Sequence, residues 1–269
     1  MIKEVNFMNL CFSTIGCPDW TLRDIVTTAK DLGYSGIEIR SIRGEVYAPD
    51  MKDFNEDWDK TKDLLDRTGV KIAMLTSNCA LANHNDETAV ERAKAYIDLA
   101  KKTGVPFVRV MSTDKPYFDG GDLDLCKKRY KEIVDHAKGS GVAPLMETNG
   151  LFVDSKLLAQ FLDEIGEGGG ALWDTHHPYR YNDEKIEDTI KNLGSKIKYV
   201  HIKDSIIEKG KVAYKMMGHG DIPLKQIVTA LKSNGYDGYY TLEWVKLWNK
   251  DLEDAGVVFA HYANHMRRY

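Results

Sequence analysis

The chain is expected to fold as one (β/α)8 barrel spanning residues 1–269. Three observations predict it. Eight short β-prone runs alternate with eight amphipathic helical stretches, the pattern of parallel strands joined by helical crossovers. The length of 269 residues matches the roughly 250 usual for that barrel. One joint recurs, a helix end followed by a glycine and a strand, in "DLGYSGIEIR", "RTGVKIAML", "KTGVPFVRV" and "GSGVAPLME", with an echo in "SNGYDGYYTLE". The alternative, an open doubly wound sheet, lacks its Gly-rich phosphate fingerprint, since "STIGCPDW" after the first strand has the wrong spacing. No Pro/Ser-rich linker divides the chain.

The elements follow in order. A strand at 10–13 precedes a helix at about 21–33, which Thr21 and Asp24 open as a capping-box-like pair. Strands at 36–40, 71–77 and 107–111 lead into helices at about 53–68, 87–103 and 123–140. Gly33, Gly69, Gly104 and Gly141 end the first four helical patterns, where a left-handed cap is available to glycine. The second half repeats the unit with strands at 143–149, 171–175, 198–203 and 239–244. Its helices are expected at about 154–165, 185–194, 223–234 and 249–266.

Composition narrows the function. Hydrophobic residues at 43% supply a sizeable core, and charged residues at 29% a soluble surface. A net charge of −4 argues against a nucleic-acid partner, because phosphate binding needs a basic face. No stretch approaches 18 apolar residues, so no membrane span is expected. The N-terminus, with Lys3 and Glu4 and only a short apolar run, does not read as a signal peptide. Cys11, Cys17, Cys79 and Cys126 form no CxxC pair and read as free thiols of a cytoplasmic protein. A homo-oligomer is compatible with all of this.

Glu147, Asp174, His201 and Glu243 each interrupt an apolar run near the end of one of the last four strands. The runs are "APLMETN", "GALWDTHH", "IKYVHIKD" and "YYTLEWV". A buried charge costs several kcal/mol unless it is paired or holds a metal. Any one of these residues has an ordinary structural explanation: a salt bridge, a satisfied core histidine, or Asp174 as the N-cap of the next turn. Four in equivalent places point to one shared site, because functional loops lie at the C-terminal ends of barrel strands. Side-chain alternation turns Met146, Trp173, Val200 and Trp244 the other way, toward the helices. Three carboxylates and one imidazole suit a hard divalent cation, Mn²⁺ or Mg²⁺ ahead of Co²⁺ or Zn²⁺.

Together with the Asp-x-x-His pair Asp174 and His177, and with "GHGDIP" at 218–223, these motifs make the chain resemble the xylose-isomerase-like TIM-barrel superfamily along its whole length. The resemblance implies that Glu147, Asp174, His201 and Glu243 ligate one metal and that His177 contacts substrate oxygen. In the ketose 3-epimerase branch the two glutamates are also the acid–base pair. The expected function is therefore a metal-dependent epimerase or isomerase of a small-molecule sugar, abstracting a proton beside a carbonyl. Alternatives are an inosose-type dehydratase on the same site and a non-catalytic sugar-binding barrel. An apurinic-site endonuclease of the same fold would need more histidines, and only His84 is to hand.

Softer candidates for substrate contact are Lys203, which has Asp204 as its other partner, His219 between Gly218 and Gly220, and Arg40, which has Glu38 or Glu45. Trp20, Phe118, Trp244 and Trp248 are candidate pocket walls. Val153 and Ile207 stand where free-ketose 3-epimerases carry a glutamate and an arginine, which points away from a free ketohexose.

Overall fold

A computed structural model describes residues 8–269; the reading of the extreme N-terminus concerns residues 1–7, which lie outside them. The first four strands are β1 (Asn9–Ser13), β2 (Gly36–Ile39), β3 (Lys71–Ala80) and β4 (Phe107–Met111). Then come β5 (Ala143–Glu147), β6 (Gly170–Asp174) and β7 (Ile197–Ile202), an antiparallel hairpin of β8 (Asp204–Glu208) and β9 (Lys211–Lys215), and β10 (Tyr239–Leu242). All but the hairpin close one parallel barrel in the order β1-β10-β7-β6-β5-β4-β3-β2. The helices are α1 (Leu22–Asp31), α2 (Trp58–Thr68), α3 (Ala89–Thr103), α4 (Leu123–Ala137), α5 (Ser155–Ile165), α6 (His177–Tyr181), α7 (Ile186–Leu193), α8 (Leu224–Ser233) and α9 (Ala255–Met266).

The period-2 alternation of the strands sorts the core into two parts. Met146, Trp173, Val200 and Trp244 belong to the large outer cluster between strands and helices. Cys11, Ala73, Met74, Leu145, Leu172 and Tyr199 form a separate small cluster inside the barrel. Two residues further along their strands, above Leu145, Leu172 and Tyr199, stand Glu147, Asp174 and His201. The inner cluster is thus an apolar floor beneath a polar layer, which keeps water out from below.

Local chemistry matches the expected joints. Thr21 and Asp24 form the full capping box at α1. Gly69 and Gly104 cap α2 and α3 in the left-handed conformation, with φ of 74° and 73°. Besides the short α6, three segments differ from expectation. The second helix starts only at Trp58, because 48–50 and 52–54 are short 3₁₀ turns, the first with Pro49 in its opening positions. The last helix starts at Ala255; before it, Trp244 Nε1 donates to Glu253 O and ties the 245–254 segment down as a loop. The β8–β9 hairpin turns at Lys209 and Gly210, both at positive φ.

No helix among the described residues is long and apolar enough to cross a membrane.

Candidate active site

β5, β6, β7 and the residue after β10 bring Glu147, Asp174, His201 and Glu243 together at the C-terminal end of the barrel. One ligand atom from each lies within 4.8 Å of all the others, and all four residues are buried. Strand register enforces this, since Asp174 pairs with His201 and Thr241 with His201 across neighbouring strands. His201 Nδ1 lies 3.1 Å from Glu147 Oε1 and 3.4 Å from Glu243 Oε1. Its Nε2 lies 2.8 Å from Glu38 Oε2, so the β2 carboxylate fixes the ring and leaves Nδ1 toward the cluster. Asp174 divides its work. Its Oδ1 accepts from the backbone N–H of His176 and His177 at 2.9 and 3.1 Å, while Oδ2 faces the cluster. Asp174 is not the N-cap of α6, which is His176, but its Oδ1 holds the turn that leads into that helix.

Two buried cations complete the layer. Arg109 of β4 donates to Glu147 Oε2 and to Ser77 O, each at 2.8 Å, and lies 4.0 Å from Glu243. Lys203 bonds Glu243 Oε2 and lies 2.7 Å from Asp174 Oδ2 and 3.3 Å from His177 Nε2. Lys203 does not pair with Asp204, which instead accepts backbone N–H bonds from Ser205, Gly218, Gly220 and Ile222. The electrostatics follow. Burial pushes the Glu147 carboxyl up, but Arg109 and the bond to His201 outweigh it and hold it down at about 2. Burial also raises Glu243, and Lys203 with His201 overrides it, leaving that carboxyl well below the usual range. Burial pulls His201 down, yet Glu38 and Glu243 lift it well above an ordinary imidazole.

A cavity of about 420 Å³ opens onto this layer, lined among others by Arg40, Asn149, His177, Lys203, Tyr214 and Trp248. That volume suits a small metabolite. Of the candidate residues, Glu147, Glu243, His177, Lys203 and Arg40 line it, while Asp174 and His201 sit beneath. His219 does not line it. The GHG turn is bound to Asp204 through the two glycine N–H groups, and His219 is exposed, its ring 5.3 Å from that of His261 on α9. Of the four aromatic candidates only Trp248 lines the cavity. Trp244 is in the outer core and Phe118 is 65% exposed. His84 pairs with Asp122 at the surface. Arg109 and Glu38 were not among the expected site residues, although each carries the same signal: a charge inside an apolar strand.

A sequence profile described as xylose isomerase-like TIM barrel matches residues 26–259. The chain belongs to that family. Among curated relatives, the fructoselysine 3-epimerase of Shigella flexneri is 23% identical over 237 residues, covering 82% of this chain and 84% of that one. Among solved structures, the probable 3-DHS dehydratase AsbF of Bacillus anthracis superposes with a TM-score of 0.79 at 17% identity, over 96% of this chain and 98% of that one. A xylose isomerase-like TIM barrel protein of Mycobacterium smegmatis in complex with magnesium gives 0.74 at 14% identity, over 97% and 96% of the two chains.

The donor set of this xylose isomerase-like barrel fits a hard divalent cation. Three carboxylates and one imidazole converge, an ordered carboxylate stands behind the imidazole, and Asp174 Oδ2 has an ion-pair neighbour but no hydrogen bond.

Proposed function

We propose that the chain is a divalent-metal-dependent epimerase or isomerase of a sugar or sugar derivative, acting by proton abstraction beside a carbonyl. The observation that carries it is the convergence of Glu147 and Glu243, from strands three apart around the barrel, on one buried cluster facing a small cavity. The curated relatives named as 3-epimerases support the same class. Glu147, Asp174, His201 and Glu243 would hold the cation, with Mn²⁺ or Mg²⁺ the best match to the donors. When bound, it would supply Lewis-acid stabilisation of the charge that develops when the proton leaves.

The chain's own residues do the rest. Glu147 and Glu243 both line the cavity and, in this reading, exchange protons with the two faces of a planar carbon. Arg109, Lys203 and His201 hold both carboxyls below the usual range, so each is ionised near neutral pH; one accepts the substrate proton, and the other must first take a proton from solvent to deliver it to the opposite face. His177 and Lys203, 3.3 Å apart, offer donors to substrate oxygens. Asn149 and Tyr214 add polar wall.

That same His177–Lys203 pair favours one second reading, a dehydratase. A donor beside the reacting carbon can protonate a leaving hydroxyl. Incubation of the Mn²⁺-loaded protein with keto-sugars in D₂O separates the two. Solvent deuterium in an isomeric product supports the epimerase or isomerase, and net loss of water the dehydratase. Glu147→Gln and Glu243→Gln are each expected to slow exchange at least about a hundredfold. Near-normal exchange in both rejects their roles, and ligand binding without turnover indicates a binding barrel.

A further inference from the structure

Arg40 stands just past β2, its backbone N–H held by Thr14 Oγ1 at 2.8 Å. The residue is only 6% exposed and lines the cavity. Among the described residues its guanidinium makes no hydrogen bond and no ion pair, and Nη1 is fully buried without a partner. Glu38, two residues earlier, is engaged by His201, and the rim carboxylate Asp114 has Lys115 at 3.8 Å. The Trp248 ring lies 5.5 Å from Arg40 Cζ. A stacked indole stabilises the charge but accepts none of the five guanidinium N–H bonds. Burial, and then the like charge of Arg109, pull the Arg40 pKa below its ordinary value.

A buried cation without an acceptor is costly, and it is tolerated where a ligand supplies the missing partner. The charge balance of the inner layer together with Arg40 agrees, Asp114 at the rim being paired with Lys115. With His201 neutral and a divalent cation in place, the four carboxylates Glu38, Glu147, Asp174 and Glu243 face that ion and the cations Arg40, Arg109 and Lys203. One positive charge is left over. Arg109 and Lys203 are already bound to cluster carboxylates, so the surplus resides at Arg40. Trp248, 64% exposed, places Arg40 beside the mouth of the cavity rather than at its floor.

We propose that Arg40 is a specificity-determining residue that selects an anionic substrate, a sugar derivative carrying an oxyanion group remote from its reacting carbonyl. This rests on the reading of the cavity as a sugar site. A carboxylate and a phosphate both match the planar guanidinium fork.

The test is calorimetric titration of the Mn²⁺-loaded chain with D-fructose, D-fructuronate and D-fructose 6-phosphate, which differ only at C6. At least one anionic probe should bind about tenfold or more tightly than fructose. The tighter of the two identifies carboxylate or phosphate. Arg40→Met should abolish the preference and Arg40→Lys should keep much of it. Equal affinity for the three probes, binding by none, or a preference that survives Arg40→Met overturns the proposal. D₂O exchange on the same probes stands apart: an anion preference without exchange leaves Arg40 its role and removes the epimerase reading.

Discussion

Arg109→Met removes the cation that bridges the two glutamates of the metal-free site. The side chain is 7% exposed, and it gives up its 2.8 Å bonds to Glu147 Oε2 and Ser77 O. Breaking one partner out of a buried ion pair costs about 3–5 kcal/mol. The electrostatics point the same way: against burial, Arg109 is the main influence holding the Glu147 carboxyl down at about 2, so the pair stabilises the fold at neutral pH. The sign follows from the depressed carboxyl. Its contribution is present above the unfolded-state pKa and is lost as pH falls toward about 2. In the variant, Glu147 takes up a proton at higher pH, so the deficit relative to the native chain is largest near pH 7 and shrinks toward pH 4. Urea denaturation of the metal-free proteins at both pH values measures it. A drop of several kcal/mol at pH 7, roughly 10 °C in Tm, is expected. Adding Glu147→Met to Arg109→Met should recover part of the loss, because an apolar pair no longer strands a charge. A deficit below about 1 kcal/mol, or one that grows on acidification, refutes this account of the layer.

Two further substitutions probe the supports. Glu38→Gln should weaken Mn²⁺ binding about 10–100-fold while the fold persists, since it alters only the group behind His201; unchanged affinity by calorimetry counts against that orientation. Asp204→Asn should destabilise by on the order of 3 kcal/mol and leave metal affinity unchanged. Each Asp204 oxygen accepts two backbone N–H bonds, so either amide orientation turns an NH₂ onto two donors. Equal unfolding midpoints for variant and native chain would contradict it.

The barrel was readable because its signals are local and repeated. Short β-prone runs between amphipathic helical stretches marked all eight barrel strands, and the Gly69 and Gly104 caps lie where a chiral side chain would be strained. Glu147, Asp174, His201 and Glu243 were readable because a charge in an apolar strand demands a partner. Arg109 and Glu38 send that same message from β4 and β2, but singly and outside the run of four consecutive strands whose ends carry the expected cluster. The β8–β9 hairpin escaped because it adds to the periphery, where β9 buries little and alternation is weak. Five-residue α6 is too short for helical periodicity to register. His219 misled because glycines on both sides fit a turn held by Asp204 as well as a substrate loop. No sequence pattern could show that Arg40 lacks an acceptor, since that depends on packing from distant strands.

The central claim is that residues from four strands grip one cation at the top of the barrel. Anomalous diffraction at the manganese edge, from crystals grown with excess Mn²⁺, addresses it most directly. The account predicts one strong peak enclosed by Glu147, Asp174, His201 and Glu243, absent in His201→Ala. A cluster without a peak in the native crystals, or a peak that survives His201→Ala unchanged, would contradict it.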